Sequence, residues 1–480
     1  MIVRNTNVRD TTAPVEPAKD SEPVTPSSTH GSAPRSVRLG AGSGFSGDRI
    51  DPAEKLARHA DLDYLIFECL GERTVAAGNA RRLDNPDEGY DPLLAARMRA
   101  VLPHTLASGT TVITNAGAAN PLAAAELVSG IASRSADRPV RIAAVTGDAV
   151  LEQVRRHDPV VWETGKRLSE HEDVLVSANA YIGAEAVLPA LELDADVVVT
   201  GRLADPSLYV APLAHHFGWD LADHETIGAA TAVGHLLECA GQLTGGYYAD
   251  PVTKPVKGMA DLGFPFADVR ADGSATFGKL DGSGGILTER TCAEQLLYEV
   301  GDPTTYLTPD VTADFGNVSF GSAGPDRVAI TGATGRPRPR ELKVTLGFRG
   351  GWLGEGQISY AGPRAYPRAR LAAEIVTERL VDVHGFTEDA VSVEYIGAGA
   401  AFRGLDTDED AHEVRVRVTA RARTREEADL VGWEVESLYT NGPAGGGGAR
   451  RSSIEVLAIR SCTLPRELVP TRVHLTEVSK

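Results

Sequence analysis

The sequence predicts an α/β protein: a mostly parallel, doubly wound sheet in an N-terminal domain, followed by a C-terminal α+β domain of ferredoxin-like order. Three observations carry this. Short continuous aliphatic runs alternate with helical stretches from residue 36 to 217. Several of those helices open on Asp-Pro or Asn-Pro. After Gly354 the pattern changes to βαββαβ, the split βαβ arrangement. A (β/α) barrel fragment is the second reading of the N-terminal half.

The aliphatic runs are SVRLGA (36–41), LDYLIF (62–67), TTVIT (110–114), VRIAAV (140–145), DVLVS (173–177) and DVVVT (196–200). Continuous rather than alternating apolar residues suit strands buried on both faces, as in a parallel sheet. Helices are predicted over Pro52–Ala60, Asp91–Ala107, Pro121–Ala132, Glu185–Leu193, Pro206–Phe217 and Glu225–Cys239. Proline at the first helical position after a turn residue marks four of these starts. The expected division is a disordered tail over 1–35, an α/β domain over 36–245, a hairpin- and loop-rich connection over 246–340, and the ferredoxin-like domain over 341–480. The tail is rich in Pro, Ser, Thr and Glu and too poor in large apolar side chains to order itself.

Composition narrows the function. An apolar fraction of 42% with 24% charged residues is that of a globular protein. The net charge of −18 repels polyanions, so nucleic acid and anionic membranes are not expected partners. No apolar run approaches the roughly 18–20 residues needed to span a bilayer. The four cysteines form no C-x-x-C pair, which argues against a zinc ribbon or disulfide framework. The N-terminal MIVRNTNVRDTTAP lacks the apolar segment of a signal peptide. The cytoplasm is the expected compartment.

In a parallel sheet all strands end along one edge, and ligands of α/β folds bind outside those ends. The exits here are Ser43-Gly44, Glu68, Asn115-Ala116-Gly117, Thr146-Gly147-Asp148, Asn179-Ala180-Tyr181 and Thr200-Gly201-Arg202. Glycine lets a backbone approach a ligand, asparagine offers donor and acceptor together, and Arg202 presents a fork suited to carboxylate or phosphate. Asp205 caps the next helix, whose N-terminal amides favour an anion. The expected binding residues are therefore Ser43, Gly44, Asn115, Gly117, Asn179, Tyr181, Thr200 and Gly201, joined by Thr244, Gly245 and Gly246 from the Gly-rich stretch after the last of these helices. Any βα turn also uses Gly, Asn or Asp for its geometry alone.

GHLLECAGQLTGG (234–246) places His235, Glu238 and Cys239 on one helix face. Histidine with glutamate can serve as base and acid, and an imidazole beside a thiol can lower its pKa. These three, with Arg202 and Asp205, are the expected catalytic set; the bland reading is a packed helix face. GSGFSG (42–47) matches the dinucleotide fingerprint only in part, because its third Gly precedes the helix start at Asp51-Pro52. His215, His216 and His224 fit no zinc spacing, and no metal is expected. The loop Asn441–Ala449 lacks the ending of a P-loop. The basic Arg336–Arg340 and Arg450-Arg451 would meet the phosphates of CoA if it is bound.

GSGFSGD (42–48), DLDYLIFE (61–68), TNAGAANP (114–121), LVSANAYIGA (175–184), ADVVVTGRLADPSL (195–208), FGW (217–219), GHLLECAGQLTGG, EQLLYEVGDPTTYLTPDV (294–311) and LYTNGPAGGGG (438–448) together resemble the acyclic terpene utilisation (AtuA-like) family. Two positions depart from its pattern: Ser46 stands for an aromatic residue and His216 for Glu. The resemblance implies a role in degrading acyclic terpenoids, alongside acyl-CoA carboxylases, dehydrogenases and hydratases; it assigns no catalytic residue. The expectation is an enzyme acting on a branched or terpenoid-derived acyl-CoA or carboxylate by hydration, dehydration or C–C lysis. It needs no cofactor apart from CoA as part of the substrate. Arg202 would hold the carboxylate or thioester oxygen, Asn115 and Asn179 would orient it, and His235 with Glu238 would move protons. The alternatives are a non-catalytic acyl-CoA-binding subunit and an NAD-dependent oxidoreductase. The long helices of the C-terminal domain offer a surface for a homo-oligomer.

Overall fold

The computed structural model describes residues 4–10, 36–135, 137–401 and 410–479. The chain divides into two compact units, Met1–Gly347 with Ile459–Lys480, and Phe348–Ala458. Most of the tail expected over 1–35 lies outside the described residues; within it, Arg4–Asp10 is a strand paired with Arg472–Val478.

The first unit is built on an eleven-stranded sheet. Its centre is five parallel strands in the spatial order Val140–Thr146, Val197–Thr200, Thr111–Thr114, Tyr64–Phe67 and Val37–Ser43. Tyr64–Phe67 and Val197–Thr200 are buried at every position, as continuous apolar runs covered on both faces must be. Helices Asp51–His59, Leu94–Ser108 and Pro121–Ser135 pack in succession, and Leu188–Glu192, Ser207–Phe217 and His224–Leu237 form a second group. Asp51-Pro52 and Pro121 begin their helices where the proline signals place them. Asp223 caps the last helix, its side chain accepting from the Thr226 amide.

Two expectations are corrected. The run at 173–177 is a strand (Leu175–Ala180), but it does not join the parallel sheet. It pairs with the strand that begins at Glu341, and the Tyr181 amide donates to the Lys343 carbonyl at 2.9 Å. The edge therefore has five aligned exits, with Asn179 and Tyr181 arriving from a separate ladder. The region 246–340 belongs to the first unit. Its strands Pro265–Val269, Ala275–Lys279, Arg327–Thr331 and Ser319–Gly324 continue the central sheet antiparallel beyond Val37–Ser43. Among the described residues no helix is long and apolar enough to cross a membrane.

The second unit contains the helices Ala365–Asp382 and Arg425–Asn441 and the strands Val391–Ile396 and Glu413–Ala422, flanked by Glu341–Ala361 and Gly447–Pro465, each of which begins or ends outside it. The sheet order is Val391–Ile396, Glu413–Ala422, Glu341–Ala361, Gly447–Pro465. Val414, Val416, Val418 and Ala420 alternate inward along one strand and meet Ala369, Ala373, Val431 and Val435 of the helices, the period-two pattern of a sheet with one face covered. The expected glycine loop after Asn441 is tied down: Arg368 donates to the Ala444 carbonyl at 2.7 Å.

Candidate active site

A cavity of about 670 Å3 lies at the exits of the central strands in the first unit. Of the expected residues, Gly44, Tyr181, Arg202, Asp205, Glu238, Cys239 and Gly246 line it. Ser43, Asn115, Gly117, Asn179, Thr200, Gly201, His235, Thr244 and Gly245 do not. Their polar groups are spent on the protein.

Those internal contacts explain what the polar exits are for. Asn115 accepts from the Cys69 amide at 2.7 Å and donates to Glu68 Oε1 at 3.1 Å. Asn179 donates to Asp148 at 2.8 Å, and Asp148 also accepts from the Arg202 amide at 2.9 Å. The two asparagines thus hold carboxylates rather than orient a substrate. Ser43 Oγ donates to the Glu68 carbonyl, Thr200 Oγ1 to the Gly201 carbonyl, and Thr244 Oγ1 to the Gly263 carbonyl. Gly201 makes room for protein, not ligand: a Cβ there would lie 2.3 Å from the Asp148 carboxylate. Gly44 does the same at the cavity wall, where a Cβ would lie 2.5 Å from the Cys239 backbone. That close approach brings the loop after the first central strand against the end of the helix carrying Glu238.

Arg202 is the pivot. It is 2% exposed. One guanidinium nitrogen donates to the Leu70 carbonyl and another stands 2.9 Å from Asp205, while Nε has no hydrogen-bond partner. The Asp205 pair is close but not aligned as a hydrogen bond. The guanidinium lies over the Tyr181 ring, 4.0 Å from its centroid, a cation–π contact strengthened by desolvation. Tyr181 donates in turn to Glu72 at 2.6 Å, and Lys343 stands 2.9 Å from the same oxygen. Burial opposes charge on Glu72, but these two donors outweigh it and hold the carboxyl at about 2.

His235 reports its own tautomer. Its Nε2 lies 3.1 Å from the Leu296 carbonyl, which can only accept, so Nε2 carries the proton. Nδ1 then meets Glu238 Oε1 at 2.8 Å, and the two share a single further proton. Glu238 Oε2 is buried without a partner, and Glu238 lines the cavity. Burial pushes its carboxyl up to about 7, against the pull of His235. Glu68 is likewise raised well above the ordinary range, by burial and then by Asp205. Both carboxyls are displaced upward and line the same cavity, and a raised carboxyl can hold a proton where an ordinary one has lost it. Cys239 differs from expectation. His235 is committed to Glu238 and Leu296, and burial with the neighbouring Glu238 raises the thiol, so it is not an activated thiolate.

Several lining residues escaped sequence reasoning. The cavity carries six carboxylates (Asp48, Glu68, Glu72, Asp205, Glu238, Glu299) and three cations (Arg49, Arg202, Lys343). Glu68 was visible as a strand exit. Lys343 had no local signal, since it arrives from a distant strand. Arg97, fully buried, donates to Asp91 and to the carbonyls of Phe45 and Ser46 at 3.0, 3.1 and 2.7 Å; it fixes the loop that carries Gly44 and Asp48 into the cavity. In that loop Gly47 precedes the helix that starts at Asp51, so the close helix packing made by the third glycine of a dinucleotide fingerprint is missing. Among the described residues no group of three or more His, Cys, Asp or Glu is placed to hold a metal ion.

The model of the acyclic terpene utilisation family protein AtuA matches residues 37–475, nearly the whole chain. No curated protein and no solved structure matches.

Proposed function

The chain belongs to the acyclic terpene utilisation family, and from that premise we propose that it is an enzyme adding water to, or removing it from, a branched or terpenoid-derived acyl-CoA. The observation that carries this is the partnerless Glu238 Oε2, on a carboxyl raised to about 7, in a cavity that a second raised carboxyl, Glu68, also lines. In the hydration direction the Glu238 carboxylate takes a proton from water, whose oxygen bonds to the β-carbon. The Glu68 acid gives its proton to the α-carbon as the double bond is lost, and proton return from Glu238 through solvent resets the pair. Dehydration is the reverse. Atoms balance without a redox partner.

Charge favours a thioester over a free carboxylate. Arg202 already faces Asp205, and Lys343 faces Glu72, and six carboxyls against three cations leave the lining with a surplus of negative charge that disfavours an anion. Arg202 and Tyr181 act as positioning residues. His235 holds Glu238 and sets its proton affinity without lining the cavity. We also read the βαββαβ order and the sheet order of the second unit as a ferredoxin-like domain.

The test is a branched 2-enoyl-CoA mixed with purified protein, followed by loss of the conjugated thioester absorbance and by mass gain of one water. Turnover abolished by Glu238→Gln supports the proposal. Binding without turnover by the unaltered protein would make this a non-catalytic acyl-CoA-binding subunit instead.

A further inference from the structure

A second cavity of about 680 Å3 opens beside the first in the same unit. Trp162, Ala204, Tyr306, Leu307, Pro309 and Leu342 give it an apolar lining, and it shares Tyr181, Asp205 and Lys343 with the acidic cavity. The shared wall is fixed, because Tyr181 is held by Arg202 on its ring and by Glu72 at its hydroxyl. The linings contrast sharply. Beyond the shared residues the second cavity adds only Arg340 and Glu341 as charges. Trp162 and Leu307 are 53% and 65% exposed, so large apolar surface faces water where a ligand would cover it. Each volume is of the size that holds a small organic ligand. At the acidic end six carboxyls face three cations, so the lining is unfavourable to an anionic head, and burial raises the Glu68 carboxyl.

We propose that the two cavities form one amphipathic site, for a ligand with an uncharged hydroxyl or carbonyl head and a hydrocarbon chain of several carbons. The head meets Glu68 and Glu238; the chain passes Tyr181 into the apolar cavity. This rests on the acid–base reading of the first cavity and adds a chain subsite that the reading does not require. Leu307 and Leu342 then act on chain length and shape rather than on chemistry.

Titration calorimetry of the full-length protein with primary alkanols from butanol to decanol, and with carboxylic acids of the same lengths, tests it. Each added methylene is expected to tighten binding about fourfold, from ~0.8 kcal/mol per buried CH2, until the subsite is full. Each alkanol binds at least tenfold more tightly than its acid. Leu307→Asp, at an exposed position that tolerates the charge, removes the chain-length gain and leaves the melting temperature unchanged. Thr463→Trp, which adds bulk at a second lining position, shortens the longest chain that still gains. A flat series, no binding by any alkanol, acids equal to alkanols, or a gain that survives both substitutions overturns the proposal. Displacement of decanol by coenzyme A alone also overturns it, by assigning the second cavity to the pantetheine arm. If the chain series fails while turnover still depends on Glu238, only the subsite falls. If Glu238→Gln keeps turnover while the series holds, only the acid–base reading falls.

Discussion

Each unit buries a glutamate beside a histidine, and the two are built in opposite ways. In the second unit Glu434, 2% exposed, accepts from Arg379 at 2.7 and 3.0 Å and meets His384 at 2.7 Å. Both its oxygens are used. Burial alone would raise that carboxyl, but the donors win and hold it below the ordinary range. In the first unit Glu238 has one oxygen on His235 and nothing on the other; burial wins, and the carboxyl stands at about 7. The same residue pair thus gives an ion-paired carboxylate in one place and a raised carboxyl with an open oxygen in the other. What separates them is whether the second oxygen has a partner.

Glu238→Gln is expected to lower turnover about 10²–10⁴-fold with no loss of stability, measured by enoyl-CoA kinetics and thermal melting. The sign of its pH effect is fixed: a carboxyl whose folded pKa is raised contributes stability fully present below the unfolded value, near 4.3, and lost as pH rises through about 7. The unaltered protein should therefore lose ground to the Gln variant across that window. Arg202→Met leaves Asp205 without its counter-charge. Because Asp205 keeps 29% side-chain exposure, the expected loss is about 3 kcal/mol, the low end for a broken buried pair, read by urea denaturation.

Glu434→Gln should cost about 2 kcal/mol and leave turnover untouched. Its lowered carboxyl works the other way: the stability it contributes is present above the ordinary carboxylate range and is lost as pH falls below it, so the variant and parent should converge in acid. The smallest effect sharpens the contrast. His235→Ala removes the group that pulls Glu238 downward, so the ionisation governing kcat should move above about 7, seen as an alkaline displacement of that limb of the pH profile.

Much of the architecture was readable from local signals. Asp51-Pro52 and Asn120-Pro121 start helices because proline fits the first turn, and five aliphatic runs form the parallel centre because only doubly covered strands tolerate them. The sixth run, at 173–177, has the same composition but another partner; an apolar run specifies a strand and not its neighbour. The Gly- and Asp-rich turns between 246 and 340 mark hairpins, which form from Pro265 to Thr331, but a turn signal does not say that those strands extend the central sheet. At the site, Arg202, Asp205 and Glu238 were legible from strand exits and helix spacing. Asn115, Asn179 and Thr200 were misread, since a side chain that holds a buried carboxylate or carbonyl carries the same donors as one that holds a substrate. Glu72 and Lys343 meet through contacts 271 residues apart, a distance over which no sequence pattern speaks.

Glu238 keeps a free oxygen and a proton near neutrality. Difference infrared spectroscopy of the unaltered protein against Glu238→Gln, titrated from acid to pH 9, reads that proton directly. A protonated-carboxyl band is expected in the difference spectrum, disappearing with a midpoint near 7. A band already gone by pH 5 would contradict it, placing Glu238 with Glu434 among the structural ion pairs.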